Sequence, residues 1–385
     1  MNNNNASAIT HSSDGRRYLA ECESVRGLAI ALVVVFHLLI TLNGLDPQPQ
    51  RPWYQSIWYA GDTGVTLFFV LSGFLLVQPF MDRRPYSVVN FYWNRALRIL
   101  PLYWLMVLTA GIFHQQFTNA VAAAAFMEVS ISNLHPFGAV WWSLGVEAQF
   151  YLLLPLAMWL MGKTPHWAWI AAVAGLLLAG YCWVATTDPM DHAHGIRDTI
   201  IGRWPAFACG MAVAWLHAHR DRLPTATGRR RLLLGDFLIA APLIGLALIA
   251  DRIASHYGFL AHRFWYHHFA IEAMLWSLFL VALLAYPSHL KSLFSNALLN
   301  RLGTWSYSIY LLHVPLLFFM LRGAEKLSDT WRDHYLLPVI AAYLAVTLAL
   351  SALTYRYVEL PFLRLKRPIH PNAAPAARTP LSSTQ

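Results

Sequence analysis

The stretch RGLAIALVVVFHLLI, residues 26–40, is apolar except for Arg26 at its start and His37 near its middle. An apolar run of about 18 residues or more is long enough to cross a hydrocarbon core of about 30 Å, and the sequence has a series of such runs. Across 385 residues, 57% are hydrophobic and 12% charged, with a mean hydropathy of +0.43. That balance excludes two or three soluble domains and specifies an integral membrane protein. The fold class expected is all-α, a polytopic bundle of membrane helices.

Apolar runs between polar breaks predict ten spans, near 27–43, 63–80, 97–113, 141–161, 167–187, 200–217, 233–251, 267–287, 304–321 and 336–357. The mixed stretch 118–135 is expected in an outer loop, as an interfacial helix. Most of the 28 Lys and Arg fall on one set of alternating loops when the N-terminus is inside, which predicts both ends on the cytoplasmic side of an inner membrane. Three regions follow: a polar cytoplasmic segment 1–25, a membrane domain 26–365, and a disordered cytoplasmic tail 366–385 rich in Pro, Ala and Ser. The polar first 25 residues argue against a cleavable signal, so the first span should remain as an anchor. Cys22, Cys182 and Cys209 have no CxxC spacing and predict neither a disulfide framework nor a cysteine metal site. The formal charge of +9 sits in short clusters between apolar runs, so it reads as membrane orientation and not as a nucleic-acid surface.

Eleven residues separate Arg26 from His37. On a helix that spacing returns to within roughly 20° of the same face and sets His37 roughly 16 Å deeper. An ionisable side chain at that depth is costly and faces a bundle interior or an aqueous cavity. Removal from water favours the neutral imidazole, which can accept a proton. In WWSLGVEAQFYLLLP, residues 141–155, Glu147 lies within a span with Ser143 and Tyr151 each one turn away. It can orient an imidazole, act as acid or base, or pair structurally with Arg203. In FYWNRALRILPLYW, residues 91–104, Arg95 and Arg98 share a helix face at the inner mouth of a span, suited to phosphate groups and equally to the orientation rule. GDTGVTLFFVLSGFLL, residues 61–76, sets Asp62 at an outer helix end followed by Gly64, Ser72 and Gly73, small residues that permit close helix packing. SYSIYLLHVPL, residues 306–316, adds a second intramembrane histidine, His313, near Tyr310. The histidine-rich segments 191–195 and 262–268 contain no HExxH arrangement and read as interfacial loops, so no metal is expected.

Taken in order, these stretches resemble the acyltransferase-3 family of bacterial integral membrane acyltransferases, over roughly residues 18–365. Arg26 and His37 match its arginine, ten residues, histidine element; Arg95 and Arg98 match its RxxR element; FFVLSGF, WSLGVEAQFY, SYSIYLLH and YVELPF (357–362) also fit. The resemblance implies transfer of an acyl group, commonly acetyl, from cytoplasmic acyl-coenzyme A to a hydroxyl of a sugar, glycan or glycolipid. On that reading Arg26, Arg95 and Arg98 hold the coenzyme A phosphates, His37 is the general base and Glu147 orients it, while Asp62, Ser143, Tyr151 and His313 line the acceptor side. No metal is needed, since a thioester is already activated. Some relatives carry an appended extracytoplasmic SGNH-type domain, and a stand-alone membrane unit is expected here, working alone or with a separate extracytoplasmic transferase. The competing readings are a proton-coupled transporter with His37, Glu147 and Arg203 as its relay, and a sensor or scaffold whose buried polar groups fix helix packing.

Overall fold

In the computed structural model, the described residues are 9–11, 17–43, 53–81, 86–127, 134–161, 199–219, 228–256, 264–327 and 331–370, with isolated positions between 175 and 182. Ten of their helices frame the fold. They are α1 (Ala20–Asn43), α2 (Thr63–Met81), α3 (Val88–His114), α4 (Trp141–Met161), α5 (Ile200–Ala218), α6 (Gly228–His256), α7 (Phe264–Ala285), the short α8 (Ala297–Thr304), α9 (Ser306–Leu327) and α10 (Leu336–Thr354). Two three-residue strands, Ile9–His11 and Arg17–Leu19, pair antiparallel ahead of α1.

Among the described residues, seven helical segments are long and apolar enough to cross a membrane, built on α1, α3, α4, α6, α7, α9 and α10. Two more expected spans are helical as α2 and α5 but are not among those seven. The expected span 167–187 lies outside the described residues, apart from isolated positions. A hydrocarbon solvent leaves every backbone group to be satisfied within the chain, which is why apolar runs become helices here. The same solvent accepts apolar side chains on the outer surface, and α10 leaves Leu337, Leu344, Leu350 and Leu353 exposed. Stretch 118–135, expected as an interfacial helix in an outer loop, contributes to a helix Phe117–Ala124 that lies against α3. There the hydroxyl of Tyr103 donates to Ala123 O at 2.6 Å and Trp104 Nε1 to Ala124 O at 3.2 Å.

Helix ends follow local chemistry. Ser87 caps α3 by accepting from Asn90 N at 3.2 Å, and Asn296 caps α8 by accepting from Leu299 N at 3.0 Å. The α8 cap matters for the site because α8 lies directly on the first turns of α1. Gly27 faces the backbone of Leu299, and Gly303 faces the backbone of Glu23, so close that a Cβ at either would sit about 2 Å from a carbonyl oxygen. This mutual contact fixes the part of α1 that carries Glu23 and Arg26.

Two boundaries differ from the sequence reading. The first helix begins at Ala20, and Glu21 to Val25, expected in a polar cytoplasmic segment, are buried by α8 and its flanks. Glu21 meets Lys291 there at 3.1 Å. At the other end, Lys366 to His370 do not belong to a free tail. The backbone of Arg367, Pro368 and Ile369 is hydrogen-bonded to the start of α3, and Ile369 is 1% exposed. Residues 371–385 lie outside the described set.

Candidate active site

A cavity of about 350 Å³ opens between α1, α2, α3, α4 and α9. Four cationic side chains line it, Arg26, Arg95, Arg98 and Lys366, together with the carboxylates Glu23 and Glu147. Its deeper wall is apolar and aromatic, including Phe68, Leu144 and Tyr310. The volume is at the small end of the range for small-molecule sites, enough for a slender chain and not for a whole nucleotide conjugate.

Each charge in the cavity has a local reason for its place. Arg26 is held by Glu23, one turn earlier on α1, at 2.9 Å. Arg98 reaches Glu359 at 3.1 Å, whose side chain is 2% exposed, and lies over the Tyr307 ring at 5.7 Å. Glu359 also accepts from Ser308, which in turn accepts from Thr354 at 2.9 Å. Arg95 lies over the Tyr151 ring at 5.9 Å. Glu147 accepts from Ser72 at 2.7 Å across the α2–α4 contact. Arg26, Arg95, Arg98, Glu147 and Tyr151 therefore share one cavity.

His37 and His313 do not line that cavity. They meet each other instead, His37 Nδ1 to His313 Nε2 at 3.3 Å, with ring centroids 4.8 Å apart. Their hydrogen bonds dictate the tautomers. His313 Nδ1 lies 2.8 Å from Tyr310 O and 3.1 Å from Ile309 O, and a carbonyl can only accept, so Nδ1 carries the hydrogen. In the neutral ring that leaves Nε2 as an acceptor facing His37. His37 Nδ1 lies 2.9 Å from Val33 O and so also carries a hydrogen, shared between that carbonyl and His313. The one nitrogen left with a lone pair on neutral His37 is Nε2.

Tyr310 joins the two regions. It lines the deep wall of the cavity, and its ring lies 5.8 Å from that of His313, one turn further along α9. Its hydroxyl is 2.6 Å from Ser143 Oγ and donates to Val140 O at 3.2 Å. Ser143 thus positions Tyr310 at the boundary between cavity and imidazoles.

Asp62 lies elsewhere, immediately before Thr63 in a second buried polar group between α2, α5 and α7. There Thr66 donates to Glu272 at 3.1 Å, Trp276 Nε1 donates to Thr63 at 2.8 Å, and His268 lies 3.9 Å from Glu272. Arg203 packs over the Phe269 ring at 3.5 Å and the Trp142 ring at 5.1 Å. Neither Glu272 nor Lys366 figures in the sequence-based site. Glu272 is an intramembrane carboxylate and was findable on that ground, whereas Lys366 had no signal beyond its place after the last span. His268, expected in an interfacial loop, is buried inside α7. Among the described residues, no group of three or more His, Cys, Asp or Glu is arranged to hold a metal ion.

Comparison with known proteins gives this arrangement a context. Over 383 residues the chain is 24% identical to the peptidoglycan O-acetyltransferase OatA of Listeria monocytogenes, covering 90% of this chain and 56% of that protein. It is 22% identical to the O-acetyltransferase OatA of Staphylococcus aureus, over 90% of this chain and 57% of the relative. A shorter match, 30% identical over 205 residues, is to the exopolysaccharide production protein ExoZ of Rhizobium meliloti, covering 49% of this chain and 59% of that one. The chain thus spans little more than half the length of these relatives. No solved structure matches it. The family model described as "Acyltransferase domain" matches residues 20–356, from the first turn of α1 to the end of α10, and by that match this multi-pass membrane chain belongs to the acyltransferase-3 family.

Proposed function

We propose that the protein is an inner-membrane O-acyltransferase that moves an acetyl group from cytoplasmic acetyl-coenzyme A to a hydroxyl of a cell-envelope glycan. The observation that carries this reading is the cavity with four cations along it and a histidine pair one helical turn beyond its aromatic wall. Arg26, Arg95 and Arg98 suit the phosphates of coenzyme A, and the narrow interior suits the pantetheine arm. The arm delivers the thioester toward Tyr310 and the imidazoles. His37 Nε2 then takes the proton of the acceptor hydroxyl as its oxygen attacks the thioester carbonyl. The new C–O bond forms, the C–S bond breaks, and its electron pair leaves with the coenzyme A sulfur, which takes up a proton in turn. Glu147, bound to Ser72, lines the path of the arm. We place ten spans in this fold with both ends cytoplasmic, so that Arg26, Arg95, Arg98 and Lys366 face the donor pool and the acceptor approaches from outside.

The transporter reading loses its relay. Glu147 is bound to Ser72 and His37 to His313, while Arg203 belongs to the separate Glu272 group. The function is tested with purified protein in lipid nanodiscs, radiolabelled acetyl-coenzyme A and peptidoglycan or exopolysaccharide fragments. Label should move to the glycan. Label released only as free acetate would place the acceptor step on a second transferase, and retention of all label on coenzyme A would refute the proposal.

Arg95 and Arg98 should behave differently in that assay. Arg95→Gln should raise KM for acetyl-coenzyme A about tenfold with little change in kcat, the signature of lost ground-state binding. Arg98→Gln leaves the Glu359 carboxylate buried without its cation and should destabilise the protein by about 3–5 kcal/mol. A melting curve in detergent separates the two effects.

A further inference from the structure

The segment after the last span is built into the mouth of the cavity. Asn94, fully buried in the second turn of α3, pairs with the backbone of Arg367 in both directions: its Nδ2 donates to Arg367 O at 2.7 Å and its Oδ1 accepts from Arg367 N at 2.8 Å. Asn90 Nδ2 donates to Pro368 O at 2.8 Å, the backbone N of Ser87 donates to Ile369 O at 2.8 Å, and Trp93 Nε1 donates to Leu365 O at 3.3 Å. Five hydrogen bonds over five consecutive residues, with Ile369 buried, define a fixed strap. The residue inside it, Lys366, lines the same cavity as Arg26, Arg95 and Arg98.

We infer that Lys366 is a further donor-binding residue, contacting the phosphate end of coenzyme A, and that Asn94 is the positioning residue that holds it there. The inference rests on the acyl-coenzyme A reading above. A buried asparagine that satisfies both its amide groups on one backbone unit fixes that unit in place and orientation, which a free polar tail would not need. A lysine delivered this way meets a phosphate as a point charge on a flexible stem.

The test measures the Kd of coenzyme A and of pantetheine, which lacks the phosphates, for the full chain in nanodiscs. Lys366→Ala should weaken coenzyme A about tenfold and pantetheine less than twofold, and Lys366→Arg should restore most of the loss. Asn94→Ala should reproduce the coenzyme A loss, and the double variant should be no worse than either single one. Unchanged coenzyme A affinity in Lys366→Ala overturns the inference alone, as does an equal loss for both ligands. Additive losses in the double variant overturn the role of Asn94. Wild-type protein that binds no coenzyme A overturns the donor reading and this inference together. Lys366 is partly solvent-accessible, and a melting curve of Lys366→Ala confirms that the variant is folded, so the result stands even where Asn94→Ala lowers the yield.

Discussion

Replacing His37 with Ala should lower acetyl transfer by about 10³–10⁴-fold, the upper part of the range for a general base, with coenzyme A affinity changed less than twofold. The two expectations belong together because His37 does not line the cationic cavity. A base removed from a site it does not help to bind should leave the donor in place and unreacted. His313→Ala should have a smaller effect, about 10–100-fold. Its Nε2 accepts from His37 Nδ1, holding the ring in the tautomer whose Nε2 is available, much as outer partners tune ligating histidines. Protonation of His37 at Nε2 makes its Nδ1–H a charge-assisted donor to that same nitrogen, so the pair is stronger after proton transfer than before it. Single-turnover assays with radiolabelled acetyl-coenzyme A read both variants. Transfer in His37→Ala above a tenth of wild type, or a larger defect in His313→Ala than in His37→Ala, would remove His37 from the role of base.

The sequence exposed whichever parts of the site depend on a single helix. Arg26 and His37 lie on one apolar run, and Arg95 and Arg98 one turn apart on another, so their types and spacing were legible. What α1 could not reveal is that the bundle separates Arg26 from His37, the first into the cavity and the second against His313 beyond the Tyr310 wall. That division depends on which helices are neighbours. The same holds for Asp62: its place beside Thr63 ties it to the Glu272 group on α7, a partnership set by the packing of α2 on α5 and α7. The strap was illegible for another reason. It is held by backbone groups of Arg367, Pro368 and Ile369, which have no periodicity and no side-chain signature, inside a stretch whose composition reads as a tail.

The second large effect concerns the helix pair that carries Arg26. The contact between α1 and α8 is a close approach of backbones, and such an approach needs residues without side chains. Gly303 provides this on α8: a Cβ there would lie 1.9 Å from Glu23 O, and Gly27 provides it on α1, with 2.0 Å to Leu299 O. The obstructing atoms are backbone carbonyls, so no rotamer change relieves the clash and the helices have to separate. Gly303→Ala should therefore exceed the ~1–3 kcal/mol typical of core overpacking, and Gly303→Leu should leave little folded protein. Separation also moves Glu23 and the Arg26 it holds, so any Gly303→Ala protein that is recovered should bind coenzyme A more weakly than wild type. Thermal unfolding followed by size-exclusion chromatography in detergent measures the first effect, and coenzyme A binding on the surviving monodisperse fraction measures the second. A Gly303→Ala protein with wild-type melting and affinity would mean that α8 does not set the position of α1, and that the placement of Arg26 is decided by Glu23 alone.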